Sequence, residues 1–253
     1  MIDLHTHILP GVDDGSPDDA ISLNMAWIAS ESGVRTIVAT PHANQVGRYE
    51  NYDSSDLRRR FEHLRELIAK EDIPIDIVEG MEIFAAPGVG ELIRQKKLFG
   101  INRGPYHLVE FPFDAEIWWI EDRIEELLEI DAIPLIAHVE RYYCVQKHPE
   151  RVYTWIKNGC YTQINKASVF GRFGRREKKT SERLLDYDLV TCVASDAHSD
   201  EFRTTWMSDI RAFLKDRYDE EYMLQLVRNN PRRILEGRYI PPHGKSFRRH
   251  RFL

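Results

Sequence analysis

The sequence is short of the groups on which several common chemistries depend. Its 253 residues include only three cysteines, Cys144, Cys160 and Cys192. An odd number at wide spacing excludes a disulfide framework and a thiolate zinc site, and suits a reducing compartment. None of the three opens a loop of Cys, five residues and Arg: Arg151 lies one residue too far from Cys144, and the other two have no arginine at that spacing. Thiolate attack on a phosphoester is therefore not expected, and Cys160 and Cys192 are expected to be small packed side chains. There is no Gly-x-Ser-x-Gly elbow and no phosphate-cradling glycine-rich loop, which removes serine-hydrolase and nucleotide-kinase chemistry. Positive charge is not in excess either: 35 Lys and Arg against 41 Asp and Glu leave a net charge of −6, which argues against a general nucleic-acid binder. No apolar run is long enough to cross a bilayer, and the opening Met-Ile-Asp-Leu-His lacks the basic and apolar stretches of an export signal. A soluble cytoplasmic protein with no integral membrane segment is expected.

What is present is an alternation of short apolar runs with longer stretches of helical period, the mark of parallel strands joined by crossover helices. Strands are expected at 2–5, 35–40, 74–79, 106–110, 133–138, 161–164 and 189–195, enough for a closed or nearly closed α/β barrel. Helices are expected at 17–32, 54–71, 116–131, 149–158 and 181–187, with a helical end at about 219–236. Ser16-Pro17 reads as an N-cap followed by proline at the first helical position, and Gly33 as a stop. One domain over 1–240 is expected, followed at 241–253 by a basic tail with Lys245, Arg248, Arg249 and Arg251.

The chemistry sits at the ends of these strands. His5 and His7, two apart on the first, leave the same face and can reach one ion. Asp196-Ala-His198 repeats that geometry after the last strand. Between them His42 follows the second strand, Glu82 the third, while Glu110 ends the fourth and His138 the fifth. Every expected strand but the sixth thus delivers a ligand-type residue at its C-terminal end, where strand–helix barrels keep their active sites. Asp14, in the first loop, completes the set. Glu79 competes with Glu82, and Asp13 with Asp14; on the residues alone both choices stay open. A single catalytic zinc takes three protein ligands, so a set this large implies two or three divalent ions. Imidazole and carboxylate without thiolate suit manganese, iron or zinc. Asp3 and Glu140 suit supporting roles, and Asn165 and Lys166 are divided between substrate contact and surface exposure.

The motifs Met1-Ile-Asp-Leu-His-Thr-His7, Leu9-Pro-Gly-Val-Asp-Asp-Gly15, Ala39-Thr-Pro-His42, Gly80-Met-Glu-Ile83, Ala137-His-Val-Glu-Arg141 and Ser195-Asp-Ala-His198 resemble the polymerase and histidinol phosphatase (PHP) superfamily. Within it, Gln163-Ile-Asn-Lys-Ala-Ser168 and Gly171-Arg-Phe-Gly174 are similar to the bacterial capsule-type protein-tyrosine phosphatases. The resemblance implies a distorted (β/α)7 barrel of the PHP type with three metal ions, usually manganese, and Glu82 and Asp14 as the preferred ligands. It also implies phosphate-contacting arginines at Arg141 and Arg203, the latter in Phe202-Arg-Thr-Thr where the family tends to have Arg-Pro. The implied substrate is a phosphotyrosine protein, a bacterial tyrosine kinase of polysaccharide export. A phosphate monoester is a dianion that repels anionic nucleophiles, so its hydrolysis needs concentrated positive charge and an activated water, both of which a metal cluster provides. The competing expectations are a histidinol-phosphate phosphatase or another phosphoesterase on the same scaffold, and a noncatalytic metal-stabilised partner of the kinase.

Overall fold

The computed structural model describes residues 1–241 and 243–246; Arg248, Arg249 and Arg251 of the expected basic tail lie outside the described residues. Its strands are β1 (Ile2–Thr6), β2 (Thr36–Ala39), β3 (His42–Ala43), β4 (Asp76–Glu79), β5 (Glu82–Phe84), β6 (Tyr106–Glu110), β7 (Ile133–Ile136), β8 (Tyr161–Asn165) and β9 (Cys192–Ala194). All pair in parallel, in a sheet of order β1-β2-β4 and a second of order β3-β5-β6-β7-β8-β9. A bridge between Thr6 and Ala197 links the two across β1 and β9, with His7 N donating to Ala197 O at 2.8 Å and Asp196 N to His5 O at 2.9 Å. The result is an α/β fold around a curled parallel sheet.

Two strands expected to end at residues 40 and 79 instead resume beyond a short break. β2 stops at Ala39 and resumes as β3 after Thr40-Pro41, because proline has no N–H for the ladder. β4 stops at Glu79 and resumes as β5 after Gly80-Met81. The pairing follows through the break, with Gly80 N donating to Ala39 O at 3.0 Å and Glu82 N to Pro41 O at 3.1 Å. Gly80 is required there: a Cβ would stand 2.7 Å from Val38 Cγ1. Each short second segment opens with a candidate ligand, His42 or Glu82.

Strand residues alternate between two apolar clusters. One face, with Ile37, Val109, Ile136 and Val193, packs under helix residues such as Met25, Phe61 and Leu64. The other, with Leu4, Val38, Leu108 and Leu135, closes on Ile234 and Ile240 of the C-terminal segment. That segment is pinned at the strands' N-terminal ends by Tyr106 Oη donating to Arg238 O and Tyr161 Oη to Ile240 O, both at 2.8 Å. One end of the sheet is thereby sealed, and the other is left to the polar residues.

The first helix runs Asp19–Glu31, and its cap is Asp18, whose carboxylate accepts from Ile21 N at 3.0 Å. Ser16 is not the cap; its hydroxyl donates to Asp18 O at 2.9 Å. Helix Ser55–Lys70 is capped by Ser54, whose hydroxyl oxygen accepts from Leu57 N at 3.1 Å. Helix Arg175–Asp186 starts well before residue 181; its first turns are charged and carry no apolar period that would mark them in the sequence.

His107 lies buried on β6 with its Nδ1 2.9 Å from Pro105 O, and burial pushes its imidazole down to about 4 from 6.5. An unfolded chain takes up that proton near 6.5 and the folded one near 4, so this stability is present above 6.5 and lost as pH falls towards 4. Comparing urea unfolding of wild type and His107→Leu at neutral pH and at about pH 4.5, the gap should move in the variant's favour by roughly 2 kcal/mol. A gap that does not change with pH would contradict a neutral buried imidazole.

Candidate metal centre

β1 places the Nε2 atoms of His5 and His7 3.2 Å apart. Both face Glu82 Oε2, at 3.3 and 3.2 Å, and His42 Nδ1 reaches the same oxygen at 3.0 Å. The other oxygen of Glu82 lies 2.8 Å from His138 Nε2. Glu110 Oε1 is 3.1 Å from His42 Nδ1, and Asp196 Oδ1 is 3.5 Å from both His5 and His7. At the open side Asp14 Oδ1 stands 3.4 Å from His42 Nε2 and 3.7 Å from His198 Nε2. All nine candidates of the sequence therefore converge. Eight of them fall in three overlapping groups, His7/Asp14/His42/His198, His5/His7/Asp196 and His42/Glu82/Glu110, with the ligand-type atoms of each within 4.8 Å of one another, and His138 joins them through Glu82.

This donor set fits divalent cations. Glu82 Oε2 is buried with three imidazole nitrogens around it, yet none meets it in hydrogen-bond geometry, and His138 Nδ1 is likewise buried without a partner. Atoms arranged in this way aim at a common point rather than at each other. Three carboxylates, Glu82, Glu110 and Asp196, are also buried together, a cost that demands counter-charge. Three of the rings, His5, His7 and His198, are oriented from behind. His5 Nδ1 is bonded to Gln163 Oε1 at 3.1 Å and His7 Nδ1 to Asp13 Oδ2 at 2.7 Å, which turns each Nε2 inward. His198 Nδ1 lies 3.1 Å from Asp196 O, and burial together with His7 pushes that imidazole down to about 3, leaving it neutral. Burial opposes ionisation of Glu82, but the facing His5 and His42 outweigh it and hold the carboxyl well below its usual range.

The open choices separate geometrically. Glu79 points away, to Arg65 at 3.2 Å and Arg103 at 2.9 Å. Asp13 buttresses His7 and accepts from His42 N at 2.9 Å, whereas Asp14 faces the cluster. Backbone strain contributes to aiming: His138 (φ 35°) and Asp196 (φ 51°) are left-handed. Gly15 packs so closely on His7 that a Cβ would run into that residue's carbonyl and Cβ.

Behind the cluster lies a polar network that reasoning from the sequence largely missed. Gln163 Oε1 also accepts from His138 N at 2.9 Å, and Gln163 Nε2 donates to Asn165 Oδ1, whose amide reaches Asp196 Oδ2 at 2.6 Å. The available signal was a glutamine in the middle of an otherwise buried strand. Asp3 accepts from Ser195 N at 3.0 Å and Glu140 from Asn165 N at 3.1 Å, both supporting. Lys166 neither touches the cluster nor lies exposed; it is buried against Trp206 O and Asp209.

Both arginines reach the rim. Arg203 meets Asp196 Oδ2 at 2.6 Å and Arg141 meets it at 3.8 Å. The Arg141 guanidinium is sandwiched between Phe113 at 4.2 Å and Phe173 at 4.6 Å, and Phe173 also lies under Arg203 at 5.6 Å. The cysteines are all buried, and burial pushes the Cys160 thiol up to about 12.

Residues 1–236 match the family described as capsular polysaccharide synthesis, CpsB/CapC. The chain belongs to this family. Its CpsB/CapC relatives include the tyrosine-protein phosphatase YwqE of Bacillus subtilis, 36% identical over 90% of this chain and 89% of YwqE. The tyrosine-protein phosphatase CpsB of Streptococcus pneumoniae is 31% identical over 95% of this chain and all (100%) of CpsB. A crystal structure from work on YwqE and CpsB, described as metal-dependent tyrosine phosphatases, superposes with a TM-score of 0.89 at 35% identity, covering 98% of this chain and 100% of that one. A β-aspartyl dipeptidase from Fervidobacterium islandicum shares the fold alone, at 16% identity and a TM-score of 0.56 over 96% and 75% of the two chains.

Gln163→Leu removes the acceptor of two buried donors that set His5 and His138. Chelator competition should show divalent-metal affinity lowered by about 10–100-fold. Unchanged affinity would mean that the network does not orient the cluster.

Proposed function

We propose that the chain is a metal-dependent protein-tyrosine phosphatase whose ions, two or three and most simply Mn2+, are held by His5, His7, Asp14, His42, Glu82, Glu110, His138, Asp196 and His198. The observation that carries this reading is the arginine pair set against the imidazole–carboxylate cluster, a combination suited to a phosphoryl dianion. Fold and family support it. We read the two linked sheets as one distorted (β/α)7 barrel with two broken strands, its site at the strands' C-terminal ends.

Divalent ions bound there would supply positive charge to the phosphoryl group and lower the pKa of water. The remaining work falls to the chain. Arg141 and Arg203 present planar forks that bind two phosphoryl oxygens in fixed orientation, and the Phe113 and Phe173 rings keep the Arg141 plane from rotating. Asp196 Oδ2, touched by both arginines, holds them at the cluster's edge until substrate arrives. A tyrosine leaving group, with a pKa of about 10, needs less proton donation than an alkoxide, so aryl phosphates are the favoured class. The family's role in capsular polysaccharide synthesis makes a phosphotyrosine protein of that machinery, a bacterial tyrosine kinase, the proposed substrate. No described helix is long and apolar enough to cross a membrane, and we place the protein in the cytoplasm, where such a kinase would be accessible.

The test is hydrolysis of a phosphotyrosyl peptide, a phosphoseryl peptide and histidinol phosphate by metal-stripped protein resupplied with manganese. Phosphotyrosine should be preferred and activity should require the metal. Arg141→Ala should lower kcat/KM on the phosphotyrosyl peptide by about 100–1,000-fold, with Arg141→Lys in between. Metal-independent turnover, or an Arg141→Ala variant with wild-type kcat/KM, would contradict the reading.

A further inference from the structure

Beside the arginine rim, a groove of about 430 Å³ runs between the short helix Tyr143–Lys147 and helix Arg175–Asp186. Lys147, Arg176, Lys179 and Arg183 line it together with Tyr143 and Gln146, and no carboxylate contributes to its wall. Among the described residues, no ion pair within 4.0 Å involves Lys147, Arg176 or Lys179. Glu177, on the same helix, accepts instead from Gln146 Nε2 at 3.1 Å. On a chain of net charge −6, a groove lined by four cationic side chains and no carboxylate, three of those cations outside any ion pair, is a place of concentrated positive potential.

The groove is built onto the same segments that clamp Arg141. Gln146 Nε2 donates to Glu140 O at 3.1 Å and to Arg141 O at 3.4 Å, and Tyr143 N donates to Phe113 O at 2.9 Å. On the other wall, helix Arg175–Asp186 begins two residues after Phe173, through the left-handed Gly174 (φ 129°). Tyr143, on the groove wall, is two residues from Arg141, so their Cα atoms are at most about 7.6 Å apart, a span that two or three residues of an extended peptide cover at about 3.3–3.6 Å each.

We propose that the groove is a docking subsite for an acidic stretch of the substrate protein flanking the phosphotyrosine, taken up by Lys147, Arg176, Lys179 and Arg183. This rests on the tyrosine-phosphatase reading of the neighbouring site. Selectivity for acidic flanks then comes from affinity for the peptide rather than from the chemical step.

The test uses the full chain loaded with manganese and three phosphotyrosyl peptides of one core sequence, flanked by glutamate, glutamine or lysine. Wild type should show a kcat/KM about tenfold higher for the glutamate than for the glutamine peptide, carried by KM and shrinking as NaCl is raised. In Arg176→Glu/Lys179→Glu that preference should vanish or invert, while the rate on p-nitrophenyl phosphate and the melting temperature stay at wild-type values. Equal kcat/KM for the three peptides in wild type, or a glutamate preference that survives in the double variant, overturns the proposal. Binding of a fluorescein-labelled glutamate-flanked peptide with phenylalanine in place of phosphotyrosine separates the two readings. If no phosphoester is hydrolysed, the phosphatase reading fails. The groove then stands only if this peptide binds wild type at least tenfold more tightly than the double variant, and it fails otherwise.

Discussion

A glutamate carboxylate buried among four imidazole rings sets the terms for everything around it. Glu82 is 1% exposed, with His5, His7, His42 and His138 within 3.3 Å of its oxygens. In water-free surroundings such a carboxylate costs several kcal/mol unless its partners are held in place. The chain meets that demand with local irregularity at nearly every stave. Pro41 and Gly80 break two strands so that His42 and Glu82 turn inward, and left-handed backbones aim His138 and Asp196. A left-handed non-glycine residue costs about 1–2 kcal/mol, which the helix-covered apolar cluster outside the sheet is large enough to offset.

The ligand-type residues were legible because a buried parallel strand is otherwise apolar, and His or Glu at its C-terminal end has no packing reason to be there. The breaks were not: Ala39-Thr-Pro-His42 and Glu79-Gly-Met-Glu82 read as the ends of strands, and only the ladder continuing past them shows that each resumes. Local pattern also could not separate Asp13 from Asp14 or Glu79 from Glu82, since neighbouring carboxylates differ in where the backbone points them. Asp13 and Glu79 turn out to be tied to His7 and to surface arginines. The first helix's cap was misplaced by two residues because Ser16 and Asp18 are equally good capping types. Helix Arg175–Asp186 was cut short because its opening Arg-Arg-Glu-Lys-Lys faces solvent rather than core.

The site divides into layers with different physics. The inner layer is largely buried, with the rings of His5, His7 and His198 held by Gln163, Asp13 and the Asp196 carbonyl. The rim is aromatic and cationic, with two guanidinium groups sharing Asp196 and Phe173. Such an order suits a reaction in which the reacting group needs fixed charge while the rest of a large substrate needs a surface to lie on. It also explains how one curled-sheet scaffold can hold different reactions, since the rim is supplied by loops and helix starts that vary without disturbing the strand ends.

The central claim is that these strand ends hold a cluster of ions with Glu82 at its centre. Anomalous diffraction from crystals of the manganese-loaded protein tests it most directly. The account predicts two or three separate peaks within the His7/Asp14/His42/His198, His5/His7/Asp196 and His42/Glu82/Glu110 groups, with Glu82 and not Glu79 among the ligands. A single peak, or peaks that leave Glu82 uncoordinated, would contradict it.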